Sequence, residues 1–416
     1  MTSDFETVSV IGLGYIGLPT AAILATHGLQ VLGVDVNPKV VETINSGKTH
    51  IVEPELDAVV SGVVASGKLK AAVQPESTDA YIIAVPTPFC EDHSPDLSYI
   101  EKAARSIAPL LRKGSLVILE STSPVGTTEK LTCWLTAARP DLRFPQLGGD
   151  PADINVVYCP ERVLPGRVLH ELIDNDRIIG GMTSQCAERA GALYGKFVHG
   201  RCLVTDPRTA EMAKLTENAF RDVNIAFANE LSIICDRLSI NPWELIELAN
   251  RHPRVNILQP GPGVGGHCIA VDPWFIVHSA PELSRMIRTA REVNDGKPLH
   301  IIHRVEELAS RFSKPVVACL GLSYKPDIDD LRESPAVDIV AHLAERKTGT
   351  LLVVEPHIQQ LPAQLSRFPD LELTGLQSGL QRADIIVLLV NHRQFRNVDR
   401  RLLMEKIVID TRGLWR

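Results

Sequence analysis

The residues best suited to covalent chemistry lie in the glycine-rich segment Gly261–Phe275. Cys268 follows four glycines within this segment, and Asp272 comes four residues after the cysteine. Glycines let a backbone approach a ligand closely, and residues four apart share one face of a helical turn. A thiol near a helix start ionises more easily, because the helix N-terminus favours negative charge. The spacing is typical of a reactive thiol beside a carboxylate, and also of a buried cysteine after a turn.

A second candidate site lies near the start of the chain, where the predicted strand Thr7–Ile11 runs into a GxGxxG motif. Gly12 is expected to form the tight turn, Gly14 to admit a pyrophosphate, and Gly17 to let helix and strand pack closely. The helix that begins there would hold the phosphates at its N-terminus. Asp35 ends the next predicted strand, where its carboxylate would bind a ribose 2′-hydroxyl and repel a 2′-phosphate. This order of parts predicts an NAD site.

Two loops that follow predicted buried strands carry hydroxyl groups. They are Val85–Pro88 and Glu120–Thr128, and they include Thr87, Thr122 and Thr128. In a doubly wound sheet, ligands bind beyond the carboxyl ends of the strands. These hydroxyls are therefore candidates for holding the cofactor ribose or a substrate. Helix capping is the alternative for each one taken singly.

A carboxylate and a guanidinium follow another predicted strand, Asn155–Cys159. These two groups belong to Glu161 and Arg162, and Val163 comes next. Their place at a strand end suits a ligand site, while a surface ion pair accounts for them equally well. Both interpretations stay open on this segment alone.

A long helix is predicted from Asp206 to about Leu238, because Pro207 is tolerated at a helix start and nothing breaks the pattern afterwards. Lys214, Asn218 and Arg221 recur at spacings of four and seven and therefore share one face. Small and apolar residues flank this polar stripe, which favours a cleft over solvent. A helix roughly 45 Å long also needs cover, and a second subunit is a natural source.

The alternation of predicted strands and helices indicates an α/β protein with two Rossmann-like parallel-sheet domains joined by a long central helix. The strand Arg177–Gly180 is expected to belong to the first, doubly wound parallel sheet. A second nucleotide-binding unit begins at Pro315–Gly321; it lacks a GxGxxG motif, which argues against a dinucleotide. The predicted domains are 1–204, which binds NAD, 205–312, which is helical and carries the cysteine loop, and 313–416.

Composition excludes several classes of protein. The chain has 416 residues, is 44% hydrophobic and carries a net charge of −7, so a nucleic-acid partner is not expected. No apolar run approaches the length of a membrane span, and no signal peptide is recognisable, so membrane insertion is not expected either. The eight cysteines are scattered, which argues against a metal site and a disulfide scaffold and favours the reducing cytoplasm.

Taken together, the motifs of this chain resemble those of the UDP-glucose/GDP-mannose dehydrogenase family along its whole length. In chain order they read GLGYIGLP, VPTP, ESTSPVGTT, CPERVLPG, KLTENAFRD, HPRVN, GVGGHCIAVD and GLSYKPDIDDLRESP. His267 before the cysteine resembles the branch that acts on UDP-N-acetylhexosamines. Val271 stands where UDP-glucose enzymes typically have lysine, and Ala270 replaces a proline common in the N-acetylglucosamine branch. The resemblance therefore implies UDP-N-acetyl-D-mannosamine as substrate, with UDP-N-acetyl-D-glucosamine as the alternative.

The reaction that this resemblance implies is an NAD-dependent four-electron oxidation of the sugar at C6, from alcohol to carboxylate. Cys268 would trap the intermediate aldehyde as a thiohemiacetal, which is oxidised to a thioester and hydrolysed to the uronate. The product would serve a bacterial surface polysaccharide, such as enterobacterial common antigen or a capsule.

The resemblance also implies a role for each of a set of residues. The implied catalytic residues are Cys268, Lys214, Asn218, Asp272 and Glu161. The residues implied to bind NAD are Gly12, Gly14, Tyr15, Ile16, Gly17, Asp35, Thr87, Thr122, Thr128 and Arg332. The residues implied to bind the UDP-sugar are Arg162, Val163, Lys214, Asn218, Arg221, His252, Arg254, Gly265, Tyr324, Lys325 and Arg412. Because the family brings an arginine from a second subunit into its active site, Arg254 with His252 implies a homodimer.

Two other functions share part of this pattern. A β-hydroxyacid dehydrogenase of the 6-phosphogluconate type shares the Rossmann domain, the long helix and a catalytic lysine, but needs neither a thiol nor a second nucleotide domain. A non-catalytic NAD-binding regulator leaves Cys268 and Lys214 unexplained. The number of NAD molecules reduced per sugar separates the three functions, being two, one and none respectively.

Overall fold

The computed structural model describes residues 5–90, 92–146, 149, 152–164, 166–266 and 268–415. The chain divides into two compact units. The first comprises Met1–Glu217 with Trp274–Ala280, and the second Asn218–Pro273 with Pro281–Arg416. The finer division into domains 1–204, 205–312 and 313–416 stays a prediction.

The first unit is built on one sheet, which has eight strands in the part of the chain that the structure describes. In chain order its strands are β1 (Thr7–Ile11), β2 (Gln30–Val34), β3 (Leu69–Ala72), β4 (Ala80–Ile83), β5 (Leu116–Leu119), β6 (Asn155–Tyr158), β7 (Arg177–Gly181) and β8 (Cys202–Thr205). Their order across the sheet is β3-β2-β1-β4-β5-β6-β7-β8. The order of strands reverses between β1 and β4, because the sheet grows outward from β1 first on one side and then on the other. This is the arrangement of a doubly wound sheet, in which ligands bind at the carboxyl ends of the strands beside that point.

Helices connect these strands and cover the sheet. They are α1 (Gly17–Thr26), α2 (Pro38–Asn45), α3 (Leu56–Ala65), α4 (Ser98–Ile107), α5 (Thr127–Ala138), α6 (Val168–Asp174) and α7 (Ser184–Tyr194), with a 3-10 turn at Ala108–Leu110. The central strands β4, β5 and β6 are buried at every position, as expected for strands covered on both faces. One apolar core runs through this sheet and its helices.

The prediction that Arg177–Gly180 joins an all-parallel sheet was wrong for one pairing. β7 lies antiparallel to β6, whereas β8 is parallel to β7. The connection from β6 to β7 contains only the seven-residue helix α6, so the chain returns from the same end of the sheet and does not cross over it. The sequence prediction also missed two strands, β3 and β8. β8 has no buried residue, so it lacks the apolar run that marks a buried strand.

Four helices follow the first sheet: α8 (Pro207–Leu238), α9 (Pro242–Ala249), α10 (Asp272–Ser279) and α11 (Arg285–Ala309). The long helix predicted from Asp206 is therefore confirmed as α8, which has 32 residues. Asp206 accepts hydrogen bonds from the amide and hydroxyl of Thr209 at 3.0 and 2.6 Å, which is how an N-cap stabilises a helix start.

A second parallel sheet organises the C-terminal part of the second unit. Its strands are β9 (Val316–Leu320), β10 (Thr350–Val354), β11 (Leu371–Leu373), β12 (Ile385–Leu388) and β13 (Ile407–Asp410), in the order β11-β10-β9-β12-β13. Its helices are α12 (Pro335–Glu345), α13 (Ala363–Ser366), α14 (Leu376–Arg382) and α15 (Arg393–Arg396), with a 3-10 turn at Arg400–Leu402. Apolar clusters cover both faces of this sheet. The predicted α/β class with two Rossmann-like sheets and a long central helix is confirmed.

Candidate active site

The GxGxxG turn between β1 and α1 has the geometry that its glycines predict. Gly12 has a φ of +95°, and a Cβ atom placed on it would lie 2.6 Å from the Ala84 carbonyl oxygen. A Cβ on Gly17 would lie 1.8 Å from the Gly12 oxygen, so only glycine lets the helix approach this closely. A Cβ on Gly14 would face open space, which leaves room for a ligand against that backbone. Tyr15 and Ile16 are exposed and half-buried beside it.

Asp35 lies one residue beyond β2 and holds the same turn. Its carboxylate accepts the amide N–H groups of Leu13 at 3.1 Å and of Asn37 at 2.9 Å. The carboxylate is thereby fixed beside the glycine turn, at the place where it would meet a ribose. These features together fit an NAD molecule: the space beside Gly14, the start of α1, which no side chain caps, and the oriented Asp35 carboxylate.

The three candidate threonines have different surroundings. The Thr128 hydroxyl donates to Glu211 at 2.6 Å, and the same carboxylate accepts the amides of Gly126 and Thr128 at 2.6 and 2.8 Å. Glu211 therefore caps α5 from α8, and it also holds the Thr128 hydroxyl, which does not itself cap the helix. Thr122 is half-buried in the same loop. The buried hydroxyl of Thr87 has no hydrogen-bond partner among the described residues, so it is available to a ligand.

Sequence reasoning missed Glu211, although a signal was present. Glu211 is a carboxylate on the buried side of α8, directly after Ala210, where the apolar pattern calls for a hydrophobic residue. Burial raises the pKa of this carboxyl to about 7, while its bonds to Thr128 and Gly126 oppose that rise. A buried carboxylate with three donors on one loop fixes the loop that carries Thr122.

Glu161 and Arg162 separate after β6 into different environments. Glu161 is buried; it accepts the Arg162 amide at 2.7 Å and lies 2.5 Å from the guanidinium of Arg177. Arg162 is half-buried and pairs with Glu217 at 2.7 Å. Val163 packs against the core of the unit. The buried pair of Glu161 with Arg177 was not foreseen, since Arg177 occupies a position predicted only as the start of a strand.

In the second unit, Cys268 and Asp272 are joined by one turn of backbone, as the sequence spacing predicts. The Asp272 amide donates to the Cys268 carbonyl oxygen at 2.9 Å, and Asp272 is the first residue of α10. Cys268 is exposed and none of the eight cysteines forms a disulfide, so the thiol lies at the surface of its unit and outside any sealed apolar interior. His267 lies outside the described residues.

Asn218 on α8 orients the carboxylate that follows the cysteine. Its side-chain amide donates to Asp272 at 2.5 Å, and Asp272 is only 3% exposed. Lys214 stands one turn earlier on α8, half-buried, and makes no ion pair with the residues that the structure describes. Arg221 is exposed further along the helix. The structure thus brings Asn218 and Asp272 together.

The glycine segment before the cysteine packs tightly on the loop between β9 and α12. A Cβ on Gly265 would lie 2.4 Å from the Glu333 oxygen and 3.0 Å from the Tyr324 Cβ. Gly266 has a φ of +85°, and its Cβ would lie 3.2 Å from the Tyr324 ring. Glycine is therefore required at both positions, and it presents backbone directly beside Tyr324. Lys325 is half-buried next in the chain.

Arg412 follows β13 and approaches the start of the same segment. A Cβ on Gly261 would lie 2.6 Å from an Arg412 guanidinium nitrogen, and the Arg412 Nε donates to the Leu389 oxygen at 3.0 Å. Burial lowers the pKa of Arg412 to about 10, with Asp410 opposing the shift. A cation held with so little compensation beside glycine backbone suits an anionic group such as a phosphate.

Three further predicted site residues, His252, Arg254 and Arg332, occupy exposed positions. His252 and Arg254 are exposed, and the Arg254 amide donates to the His252 Nδ1 at 3.3 Å. The Arg332 guanidinium forms an ion pair with Asp330 at 2.7 Å and is largely exposed.

A buried polar network braces the cysteine loop and was not foreseen from the sequence. Arg291 on α11 is 1% exposed and pairs with the fully buried Asp222 of α8 at 2.6 Å. Asn294 donates to Asp222 at 2.8 Å and accepts from Asn229 at 2.8 Å, and Asn229 accepts the Gly261 amide at 2.9 Å. The network thus links two helices to the first residue of the glycine segment.

Comparison with known proteins gives three consecutive family matches. Residues 6–198 match the NAD-binding domain, 208–296 the central domain and 318–416 the UDP-binding domain of the UDP-glucose/GDP-mannose dehydrogenase family. The NAD cofactor predicted from the glycine motif is thereby confirmed, as is a domain for the UDP-sugar. No described helix is long and apolar enough to span a membrane.

Individual relatives are similar along nearly their full length. The chain is 64% identical to an NDP-N-acetyl-D-galactosaminuronic acid dehydrogenase of Ralstonia nicotianae, covering 99% of this chain and 97% of the relative. It is 60% identical to the UDP-N-acetyl-D-mannosamine dehydrogenase of Yersinia pestis, covering 99% and 100%. A solved UDP-D-ManNAc dehydrogenase of Pyrococcus horikoshii is 39% identical, with a TM-score of 0.88 and coverage of 99% and 96%.

Proposed function

The chain belongs to the UDP-glucose/GDP-mannose dehydrogenase family, and we propose that it oxidises UDP-N-acetyl-D-mannosamine at C6 to the uronate by way of a Cys268 thioester. The observation that carries the proposal is the surface thiol of Cys268, one turn before a buried carboxylate that Asn218 orients at 2.5 Å. A two-electron dehydrogenase needs no such thiol. The choice of sugar rests on the family resemblance of the residues around Cys268.

When bound, NAD accepts the hydride that leaves C6 in each of the two oxidations. In the first oxidation the C6 hydroxyl proton passes to the neutral amine of Lys214, which thereby becomes an ammonium group. The Cys268 sulfur then adds to the aldehyde carbon, and the aldehyde oxygen takes up a proton. Loss of the second hydride and of the hydroxyl proton leaves a thioester. Water adds to it, the carbon–sulfur bond breaks, and the uronate and the thiol are released.

We propose the following roles for the polar groups. Asn218 and Lys214 stabilise the oxyanions of the thiohemiacetal and of the hydrolysis step. Asp272, held by Asn218, orients Lys214 or the attacking water, and Glu161 accepts the proton of that water. For the UDP part, Gly265 offers backbone, Tyr324 its ring, and the cations of Lys325 and Arg412 meet the phosphates. Arg162, Val163 and Arg221 complete the proposed sugar site.

The identity of the sugar is tested by the initial rate of NADH formation with four UDP-sugars at equal concentration. We expect UDP-N-acetyl-D-mannosamine to give the highest kcat/KM, above UDP-N-acetyl-D-glucosamine and well above UDP-glucose. UDP-N-acetyl-D-galactosamine is the second candidate, because the Ralstonia relative at 64% identity is named for a galactosaminuronic acid product. The highest kcat/KM with any other of the four would overturn the mannosamine assignment.

A homodimer is part of the proposal, and an exposed apolar stripe on α8 supports it. Phe220, Phe227 and Ile234 recur every seven residues and are 70%, 53% and 45% exposed, and Leu238 continues the stripe at 61%. Side chains seven apart lie on one helix face, so four large apolar groups line one side of α8. A second copy of the same helix is the cover that such a stripe fits, and it would also bring His252 and Arg254 to the neighbouring active site.

Phe227→Asp is expected to convert the dimer into a monomer, because a carboxylate would be buried in an apolar contact. Analytical ultracentrifugation at micromolar concentration measures the change, and circular dichroism checks that the helices persist. Met404→Asp is the matched control, since Met404 is 81% exposed but lies outside the stripe. A monomeric wild-type protein would contradict the proposal.

We place the reaction in the cytoplasm, where reduced thiols, NAD and UDP-sugars occur together. The uronate would then enter a bacterial surface polysaccharide, with enterobacterial common antigen or a capsule as the proposed destinations.

A further inference from the structure

A buried charged cluster lies at the carboxyl ends of β5 and β6, and the proposed reaction uses only one of its members. Glu120 follows β5, Glu161 follows β6, and Arg177 begins β7. The side chains of Glu120 and Arg177 are 0% and 3% exposed. The guanidinium of Arg177 lies 2.5 Å from Glu161 and 3.8 Å from Glu120. One buried cation therefore serves two carboxylates.

The charges of this cluster do not balance when both carboxylates are ionised. Two anions and one cation would leave one uncompensated negative charge in a buried site, which is strongly unfavourable. Glu120 is the less well paired of the two, because its carboxylate lies 3.8 Å from the guanidinium and that of Glu161 lies 2.5 Å from it. One Glu120 oxygen accepts the Tyr194 hydroxyl at 2.7 Å, and each carboxylate has one oxygen that makes no hydrogen bond with the described residues. Glu161 has the closer guanidinium contact and a backbone amide at 2.7 Å.

Burial accordingly raises the pKa of Glu120 to about 7; Glu161 adds to that rise, while Arg177 and Tyr194 oppose it. The groups facing the Glu120 carboxylate come from every element around it, namely Arg177, Tyr194, Glu161, Cys159 and the Thr20 hydroxyl. Burial raises the pKa of Cys159 to about 12 and that of Tyr194 well above its usual value, so both stay neutral near pH 7.

We propose that Glu120 is a positioning residue that controls how strongly Arg177 holds Glu161, and thereby tunes Glu161 for the hydrolysis of the thioester. While Glu120 is protonated, the charge of Arg177 is directed at Glu161 alone. When Glu120 ionises, the two carboxylates share one guanidinium, and Glu161 accepts a proton from water more readily. This inference rests on the proposed function, because it concerns the water-activating role given to Glu161.

Glu120→Gln tests the inference, because the substitution keeps the size of the side chain and removes its charge. The measured quantity is the ratio of wild-type kcat to variant kcat from pH 5.5 to 9, at saturating NAD and UDP-N-acetyl-D-mannosamine. We expect a ratio near one at pH 6 that rises to about three- to tenfold at pH 8.5, because only the wild type gains the second carboxylate. A merely structural role would lower kcat equally at every pH, and a constant ratio would overturn the inference.

Thermal stability provides a readout that does not depend on turnover. The folded-state pKa of Glu120 is raised, so its protonated form stabilises the fold at low pH, and this stability is lost as the pH rises through about 7. The Tm of the wild type should therefore fall relative to that of Glu120→Gln between pH 5 and 8. A Tm difference that does not change with pH would contradict the titration of Glu120, even if no UDP-sugar is turned over.

Tyr194→Phe is the second variant, in case Glu120→Gln does not fold. The substitution removes the hydrogen bond to Glu120 and leaves every charge in place. Because that bond lowers the pKa of Glu120, its loss should move the rise in kcat toward higher pH. An unmoved profile would count against the inference. A wild type that is inactive on all four UDP-sugars would instead refute the proposed function.

Discussion

Cys268→Ser should reduce the rate of uronate formation by about a thousandfold or more, because a serine hydroxyl is a far weaker nucleophile and a poorer leaving group than a thiolate. Binding of the UDP-sugar should change little, since the two side chains differ by one atom of similar size. The uronate is measured by chromatography after a fixed time, and the affinity for UDP-N-acetyl-D-mannosamine by calorimetry.

The matched control for this substitution is Cys133→Ser. Cys133 is also an exposed cysteine, but it lies on α5 in the first unit. It should leave both the rate and the affinity unchanged. Near-normal uronate formation by Cys268→Ser, with the affinity retained, would refute the covalent step and leave a dehydrogenase that releases or hydrates a free aldehyde.

Asp222→Ala should have the largest effect on stability, lowering the free energy of unfolding by about 3–5 kcal/mol. The reason is that Arg291, 1% exposed, would lose the buried partner that now lies 2.6 Å from its guanidinium. The Asn294 amide would lose its bond to the Asp222 carboxylate and keep the one to the Asp222 carbonyl oxygen at 3.0 Å. Because the same network holds the Gly261 amide through Asn229, the KM for the UDP-sugar should also rise.

Asp295→Asn is the matched control, because Asp295 pairs with the same Arg291 but its side chain is 51% exposed. Water screens and replaces an exposed partner, so this variant should lose no more than about 1 kcal/mol. Chemical denaturation followed by circular dichroism compares the two variants. Equal losses would show that Asp222 is no more important to Arg291 than a surface partner.

The local parts of the structure were predictable because short-range chemistry determines them. The glycine turn at Gly12–Gly17, the carboxylate of Asp35 and the 32-residue helix α8 each follow from neighbouring residues whose spacing has few structural solutions. The turn from Cys268 to Asp272 was predictable for the same reason. In each case the residues that form the pattern are also the residues that form the structural feature, and they are close together in the chain.

The pairings between distant segments were not predictable from the sequence alone. Arg177 with Glu161, Arg291 with Asp222, and Glu211 with the Thr128 loop join residues that are far apart in the chain. A charged residue in an apolar pattern shows that a buried partner is required, but not which residue supplies it. The antiparallel pairing of β7 with β6 was not predicted either. It depends on the short connection through α6, which has seven residues.

The number of NADH molecules formed per molecule of UDP-N-acetyl-D-mannosamine, measured by absorbance at completion with limiting sugar and excess NAD, tests the proposed chemistry most directly. Two successive oxidations at one carbon, with the aldehyde held on Cys268, require a ratio of two. A ratio of one, with an aldehyde or a ketone as product, would contradict the proposal and favour a simple two-electron dehydrogenase.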